Sequence, residues 1–306
     1  MSTTAWITTL QFAGVNAIFA LSIYASLWTG VLSLAPVFFG AVSAFTMGYL
    51  AGVFGFSPVV GLLIGLAVGA ALGVVTAGLV LRLDSHYLAM ATIAMVLIGR
   101  VLILNLPDYT GGAAGTLVPG ELGTWVWLAV TLGLSAWVVA RLAGSRFGLA
   151  ADAVREDEAV AQTLAINPRR IQLVGFVISG ALAGVAGVMQ ASFLQYIGPD
   201  TFYTHLGFVT LAAVVLGGAF HWAGPIVGAV VFTILPELLR QPMGEYDSLV
   251  TGILLVVIII YVPRGLVDLR RLRLLRRGPR GADADGPGAS TPAGTVPAGA
   301  EPEGVR

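Results

Sequence analysis

Lysine is absent from this 306-residue chain: all 16 of its basic residues are arginine. A P-loop uses a lysine to reach the β- and γ-phosphates of a nucleotide, so this chain does not hydrolyse ATP by that route. Cysteine is absent too, which removes disulfides and thiolate metal sites. His205 and His221 stand apart from each other and from any acidic cluster, so no metal site is expected, and no cofactor. Charge of either sign is scarce. Charged residues make up 10% of the chain, against about 25% in soluble domains, too few to cover a water-facing surface of this size. Hydrophobic residues make up 57%, and the mean hydropathy is +0.90, so lipid is the natural solvent. The net charge is zero, and no nucleic-acid partner is expected. The N-terminus lacks a basic n-region, so no cleavable signal peptide is expected.

What is present is a succession of long apolar runs. A membrane-crossing helix needs about 20 mostly apolar residues. Candidate runs lie at roughly 8–28, 31–52, 57–81, 87–105, 124–142, 171–191, 205–220, 224–239 and 248–263. Barrel strands alternate polar and apolar residues, and runs such as Gly252 to Ile260 do not. Arginine placement sets the orientation. Arg141, Arg146, Arg155, Arg169 and Arg170 mark 141–170 as cytoplasmic, and seven arginines from Arg264 to Arg280 do the same for the region after Tyr261. Segments 106–123 and 192–204 hold no arginine and should face outward. Residues 8–52 fit two crossings, or one crossing with a re-entrant helix. Residues 1–268 read as a transmembrane domain and 269–306 as a cytoplasmic tail, basic at first. From 281 it is rich in Gly, Ala and Pro, and it cannot bury a core and should be disordered.

Two stripes of small residues recur every fourth position: Gly61, Gly65, Gly69 and Gly73, then Gly175, Ser179, Ala183 and Gly187. Each forms a helix face without bulk, against which a neighbour can approach closely. Between two candidate spans, residues 150–166 are good helix formers. They predict a short helix across the cytoplasmic face, with Val154, Ala161 and Leu164 on one side and Arg155 paired to Glu158. Pro168 ends it. Asn167 should cap the next span, with Pro168 at its first position. Such a helix is either a solvated surface element or a docking knob for a cytoplasmic partner.

The run Ala153-Val-Arg-Glu-Asp-Glu-Ala-Val-Ala-Gln-Thr-Leu-Ala-Ile-Asn-Pro168, followed by Phe176-Val-Ile-Ser-Gly-Ala-Leu-Ala-Gly-Val-Ala-Gly187, resembles the permeases of branched-chain amino-acid ABC importers, and among them the LivM-type subunit. Leu32 to Gly40, Tyr87 to Thr92, Asn105 with Thr110-Gly-Gly112, Val214 to Gly218, Pro236 to Arg240 and Pro263 to Leu266 match in order. The resemblance implies an all-α polytopic transmembrane helix bundle of the ABC importer permease type, with about 8–10 spans. It implies a second homologous permease subunit, two cytoplasmic ATP-binding subunits and an extracytoplasmic solute-binding protein as partners, in the bacterial cytoplasmic membrane. It assigns ATPase coupling to Arg155, Glu156, Asp157, Glu158, Ala159 and Leu164. Four positions depart from the family pattern. Ala35-Pro36 replaces Gly-His, Ala165 stands where glycine is common, Leu97 replaces an acid three residues before Arg100, and Ala219-Phe-His-Trp222 is bulkier than usual.

A charge inside a span is a functional candidate by default. Arg100 either snorkels to the outer interface or faces a pathway and attracts a carboxylate, and the missing acid at 97 leaves it less neutralised. Ser33, Thr92 and Asn105 are further pathway candidates, while Asn16, Gln11, Ser43, Thr46 and Gln190 fit a pathway or a neighbouring helix. Thr110, Gly111 and Gly112 lie in a glycine-rich outer loop that is either a flexible turn or a gate. An ion-driven secondary transporter would want intramembrane carboxylates, and Glu237 comes nearest to one. A membrane enzyme would need clustered acid, base or metal groups, and none cluster. The function expected is therefore that of a permease subunit moving a small solute, a branched-chain or other hydrophobic amino acid or a related amide or carboxylate, and not that of an enzyme.

Overall fold

The computed structural model describes residues 3–55, 58–83, 85–118 and 122–243. The expected span at 248–263, the Pro263–Leu266 match and the tail at 269–306 lie outside them. The chain is an all-α polytopic bundle. Among the described residues, six helices are long and apolar enough to cross a membrane: α1 (Thr3–Trp28), α2 (Ala35–Phe54), α3 (Pro58–Val80), α4 (Ser85–Asn105), α6 (Trp125–Ala143) and α9 (Pro168–Leu194). A one-turn α5 (Pro107–Thr110) follows α4, α7 (Arg146–Glu156) and α8 (Glu158–Thr163) separate α6 from α9, and α10 (Thr204–Gly217) and α11 (Gly224–Met243) close the described chain. The first 52 residues resolve into two helices, parted by an irregular stretch in which Gly30 has a φ of +87°.

Helix α9 is the hub, packing on α3, α1 and α2. It starts as its sequence demands: Pro168 occupies the first turn and the Asn167 side chain accepts from the Arg170 amide. The stripe on α3 meets it backbone to backbone. A Cβ at Gly69 would collide with the Gly180 carbonyl oxygen, one at Gly73 with that of Phe176, and one at Gly184 with that of Gly65. The second stripe faces elsewhere. Gly175 lies against Thr29 and Gly187 against the Gly40 carbonyl, so it receives α1 and α2. Small residues thus line two sides of α9, and three helices approach it closely.

One connection explains why α10 is short. After α9 ends at Leu194, residues 195–203 turn back into the bundle: Phe202 packs on Phe19, near the middle of α1, and Gly207 lies beside Leu34 and Val37. The 14 residues of α10, about 21 Å at 1.5 Å per residue, complete the descent. Buried irregular backbone at this depth has to be satisfied by protein. The Gly198 amide donates to Thr201 Oγ1, and Thr116–Leu117 (β1) pairs antiparallel with Tyr196–Ile197 (β2).

Replacing Gly69 by alanine should lower the melting temperature of the detergent-purified protein, by the equivalent of about 1–3 kcal/mol of overpacking. Gly78→Ala, on the same helix with open space around its Cα, should not. Equal melting of the two variants would rule out the close approach of α3 to α9.

Candidate functional site

The insert between α6 and α9 is two helices instead of the single one expected over 150–166. Asp157 breaks it with extended backbone (φ −159°, ψ 115°), and its carboxylate accepts from the Ala159 and Val160 amides at 2.8 and 3.1 Å, capping α8. This local cap outcompetes helix continuation. The break also undoes the expected Arg155–Glu158 pair. Arg155 Nη1 instead donates to the Ala219 carbonyl at 2.6 Å, and its guanidinium lies 4.5 Å from the centre of the Phe220 ring. Glu158 accepts from Gln172 Nε2 of α9 at 2.6 Å. Val154 and Ala161 are buried, but Leu164 is exposed, as are Glu156 and Ala159.

Each arm of the insert is therefore tied to a different part of the bundle. Helix α7 also accepts a hydrogen bond from Trp28 Nε1 at Asp152 (2.7 Å), and the Arg155 backbone approaches Gly30 in the α1–α2 connection. Helix α8 closes on itself, Ile166 N–H donating to the Ala161 carbonyl and Ala165 N–H to that of Gln162. That Schellman arrangement puts Ala165 at φ +60°, a region costly for any residue with a Cβ, and explains the glycine common there in the resembling permeases. An open cleft of about 1000 Å³ lies alongside, lined by Arg82, Glu158, Gln162, Asn167, Arg169 and Gln172 among others. In the α10–α11 turn, His221 Nδ1 accepts from the Ala223 amide, and burial lowers the pKa of the ring. The neutral ring stabilises this turn above the ordinary histidine pKa, and that contribution is lost as pH falls through the lowered value.

At the opposite end, Arg100 has a partner after all. Its Nη2 lies 2.8 Å from Asp200 Oδ1, and its guanidinium stacks 4.7 Å from the centre of the Tyr203 ring. The charge that Leu97 does not balance is balanced from the 195–203 segment, which the sequence alone could not bring to Arg100. An open cleft of about 320 Å³ adjoins the pair, walled by Leu104, Tyr196, Pro199 and Thr201 among others.

Ser33, Thr92, Asn105 and Thr110 are engaged with backbone. Ser33 Oγ accepts from the Ala35 amide and Thr92 Oγ1 from the Leu34 amide, so two buried hydroxyls satisfy the start of α2. The Asn105 side chain donates to the Val101 carbonyl of its own helix. Thr110 Oγ1 donates to the Ile103 carbonyl and accepts from the Gly112 amide, with Gly111 and Gly112 at positive φ. That loop is a tightly bonded turn. Asn16 donates to Thr233 Oγ1 of α11 and Ser43 to the Gly65 carbonyl, so both join helices to one another.

A family profile described as the permease component of branched-chain amino acid transport systems matches residues 6–259. The chain is 32% identical, over 85% of its own length and 68% of the relative's, to the high-affinity branched-chain amino acid transport system permease protein LivM of Escherichia coli K12. It is 31% identical, over 46% of both chains, to LivH of the same strain, a permease protein of the same description. It is 29% identical, over 75% of its length and 73% of the relative's, to the ribose import permease protein RbsC, again from Escherichia coli K12. No solved structure gives a significant match.

Removing the α8 cap with Asp157→Ala should cost about 1 kcal/mol. Ala165→Gly, which relieves a left-handed alanine, should stabilise the chain by up to about 1 kcal/mol. Thermal melting of the purified variants gives both signs, and a stabilising Asp157→Ala or a destabilising Ala165→Gly would contradict the two-helix geometry.

Proposed function

Because the chain belongs to the permease components of branched-chain amino acid transport systems, we propose that it is one permease subunit of an ATP-driven importer for a branched-chain or similar hydrophobic amino acid. The observation that carries the reading is the family match, which runs through nearly the whole bundle. The chain carries no lysine for a P-loop, so force comes from two separate cytoplasmic ATP-binding subunits. A second, homologous permease completes the pathway, and a solute-binding protein delivers the amino acid at the outer face of a bacterial cytoplasmic membrane.

In this reading α7 and α8 receive the ATPase. Glu156, Ala159, Val160 and Leu164 are exposed on them and offer the contact surface, while the Asp157 break lets the two arms move separately. Arg155 passes the movement of α7 to the α10–α11 turn through its bond to Ala219 and its stack on Phe220, and Glu158 links α8 to α9 through Gln172. Alternating access then follows from rocking of the short hairpin α10–α11 against α1, on which both helices pack. The outer turn of Thr110, Gly111 and Gly112 stands on the side where the binding protein docks. Of the pathway candidates, Arg100 alone presents a charged group to an open cleft.

Purification through a tag on this chain should retrieve an ATP-binding subunit and a second permease. In proteoliposomes with the binding protein, uptake of leucine, isoleucine or valine should require ATP. Uptake driven instead by an ion gradient, with no ATPase retained, would overturn the reading. In the same assay Arg155→Ala should cut uptake several-fold while ATP hydrolysis continues, because the ATPases still dock on α7 and α8 but no longer move the hairpin. A parallel fall in hydrolysis and uptake would make Arg155 a folding residue only.

A further inference from the structure

Resting on the amino-acid reading above, we infer that Arg100 and Asp200 form a recognition site for an α-amino-acid zwitterion at the outer end of the bundle. The two side chains present a cation and an anion 2.8 Å apart. An α-amino acid carries its ammonium and its carboxylate on one carbon, so its two charges complement the pair in sign and in spacing. The solute carboxylate takes Arg100, the ammonium takes Asp200, and one ion pair is exchanged for two.

The resting pair leaves Arg100 half used. Asp200 engages Nη2 alone, and Nε, on the same edge of the guanidinium, is buried without a hydrogen-bond partner. A carboxylate bound side-on takes both donors at once, the geometry in which arginine binds carboxylates best. A buried donor without a partner is unfavourable, so this edge favours a second oxygen over the single one it has. The site is open as well. Asp200 is 76% exposed and Arg100 38%, so the solute reaches both charges without unfolding the segment.

The surroundings fit the rest of an amino acid. The adjoining cleft is about 320 Å³, at the lower end of the range of small-molecule sites, about 300–1,000 Å³. Leu104, Ala113 and Pro199 give it apolar wall for an aliphatic side chain. The Tyr203 ring backs the guanidinium from the other side and holds its plane. Asp200 stands four residues before α10, in the segment that turns back into the bundle. A solute that draws Asp200 from Arg100 therefore acts directly on the entry to that helix.

The test is binding to the full chain in lipid nanodiscs, with whatever subunits co-purify, measured by saturation-transfer NMR. The probes are L-leucine, 4-methylpentanoate, which lacks the ammonium, and 3-methylbutylamine, which lacks the carboxylate. Leucine should bind, and each half-analogue should bind about tenfold more weakly or worse, the loss of one charge-assisted bond. Asp200→Asn should remove the advantage of leucine over 4-methylpentanoate, and Arg100→Ala should remove its advantage over 3-methylbutylamine. A purely structural ion pair would instead change all three probes alike, and that result overturns the site, as does leucine binding untouched by either substitution or absent from the unsubstituted protein. ATP-dependent leucine uptake in the presence of such a negative result would leave the importer reading standing and remove the site alone. The binding pattern without ATP-dependent uptake would do the reverse.

Discussion

Four backbone carbonyls point at glycines across the crossing of α9 and α3: those of Phe176 and Gly180 at Gly73 and Gly69, and those of Gly65 and Gly69 at Gly184 and Gly180. In lipid, helices gain little from hiding apolar surface, because lipid tails are as apolar as leucine. Association rests on close van der Waals contact and on weak Cα–H···O bonds, both of which need small residues at the crossing. This contact fixes α9, and α9 fixes the two ends of the molecule. At its start Asn167 caps it and Gln172 holds it beside α8. At its end the turn at Gln195, itself at positive φ, launches the segment that returns to Arg100.

The returning segment carries the electrostatic cost of the outer half. An arginine five residues from the end of its helix is expensive in hydrocarbon unless it is paired or reaches the interface. Asp200 pairs it, and it can do so only because residues 195–203 descend before α10 begins. The same descent makes α10 too short to cross a bilayer on its own, so the charge pair and the half-length helix are two aspects of one backbone choice. The backbone there stays satisfied because the β1–β2 pairing and Thr201 supply its hydrogen bonds inside protein rather than in lipid.

Much of this was legible in the residues, and the failures have physical causes. Helix positions followed from runs of apolar residues, since length and hydropathy are local properties. The Pro168 start with its Asn167 cap was legible for the same reason: each depends on a few neighbouring residues. The glycine stripes announced close packing, but not their partners, because periodicity gives the face of a helix and never what lies against it. The propensities of residues 150–166 are good throughout and predict one helix. The Asp157 side chain, bonding to amides two and three residues on, was the signal against it, an Asp-x-x pattern that caps as readily as it continues. The partners of Arg155 and Arg100 were out of reach. Ala219 lies 64 residues along the chain from Arg155, and its acceptor is a carbonyl that every residue possesses.

The absence of lysine acquires a meaning once those two arginines are compared. Each applies one edge of its guanidinium to an oxygen, the Ala219 carbonyl or the Asp200 carboxylate, and one face to a ring, Phe220 or Tyr203. A planar, weakly hydrated cation can do both together. An ammonium keeps the charge, but it holds its water more tightly and has no plane to lay on a ring while its donors point along an edge. In each place the arginine joins a rigid helix, α7 or α4, to the irregular backbone at one end of α10. A link of this kind has two contacts that break separately, so it can slide on the ring while holding the oxygen, or release the oxygen while resting on the ring. In the proposed rocking of α10, that is what a joint at either end of the helix requires, and a single-point salt bridge does not provide it.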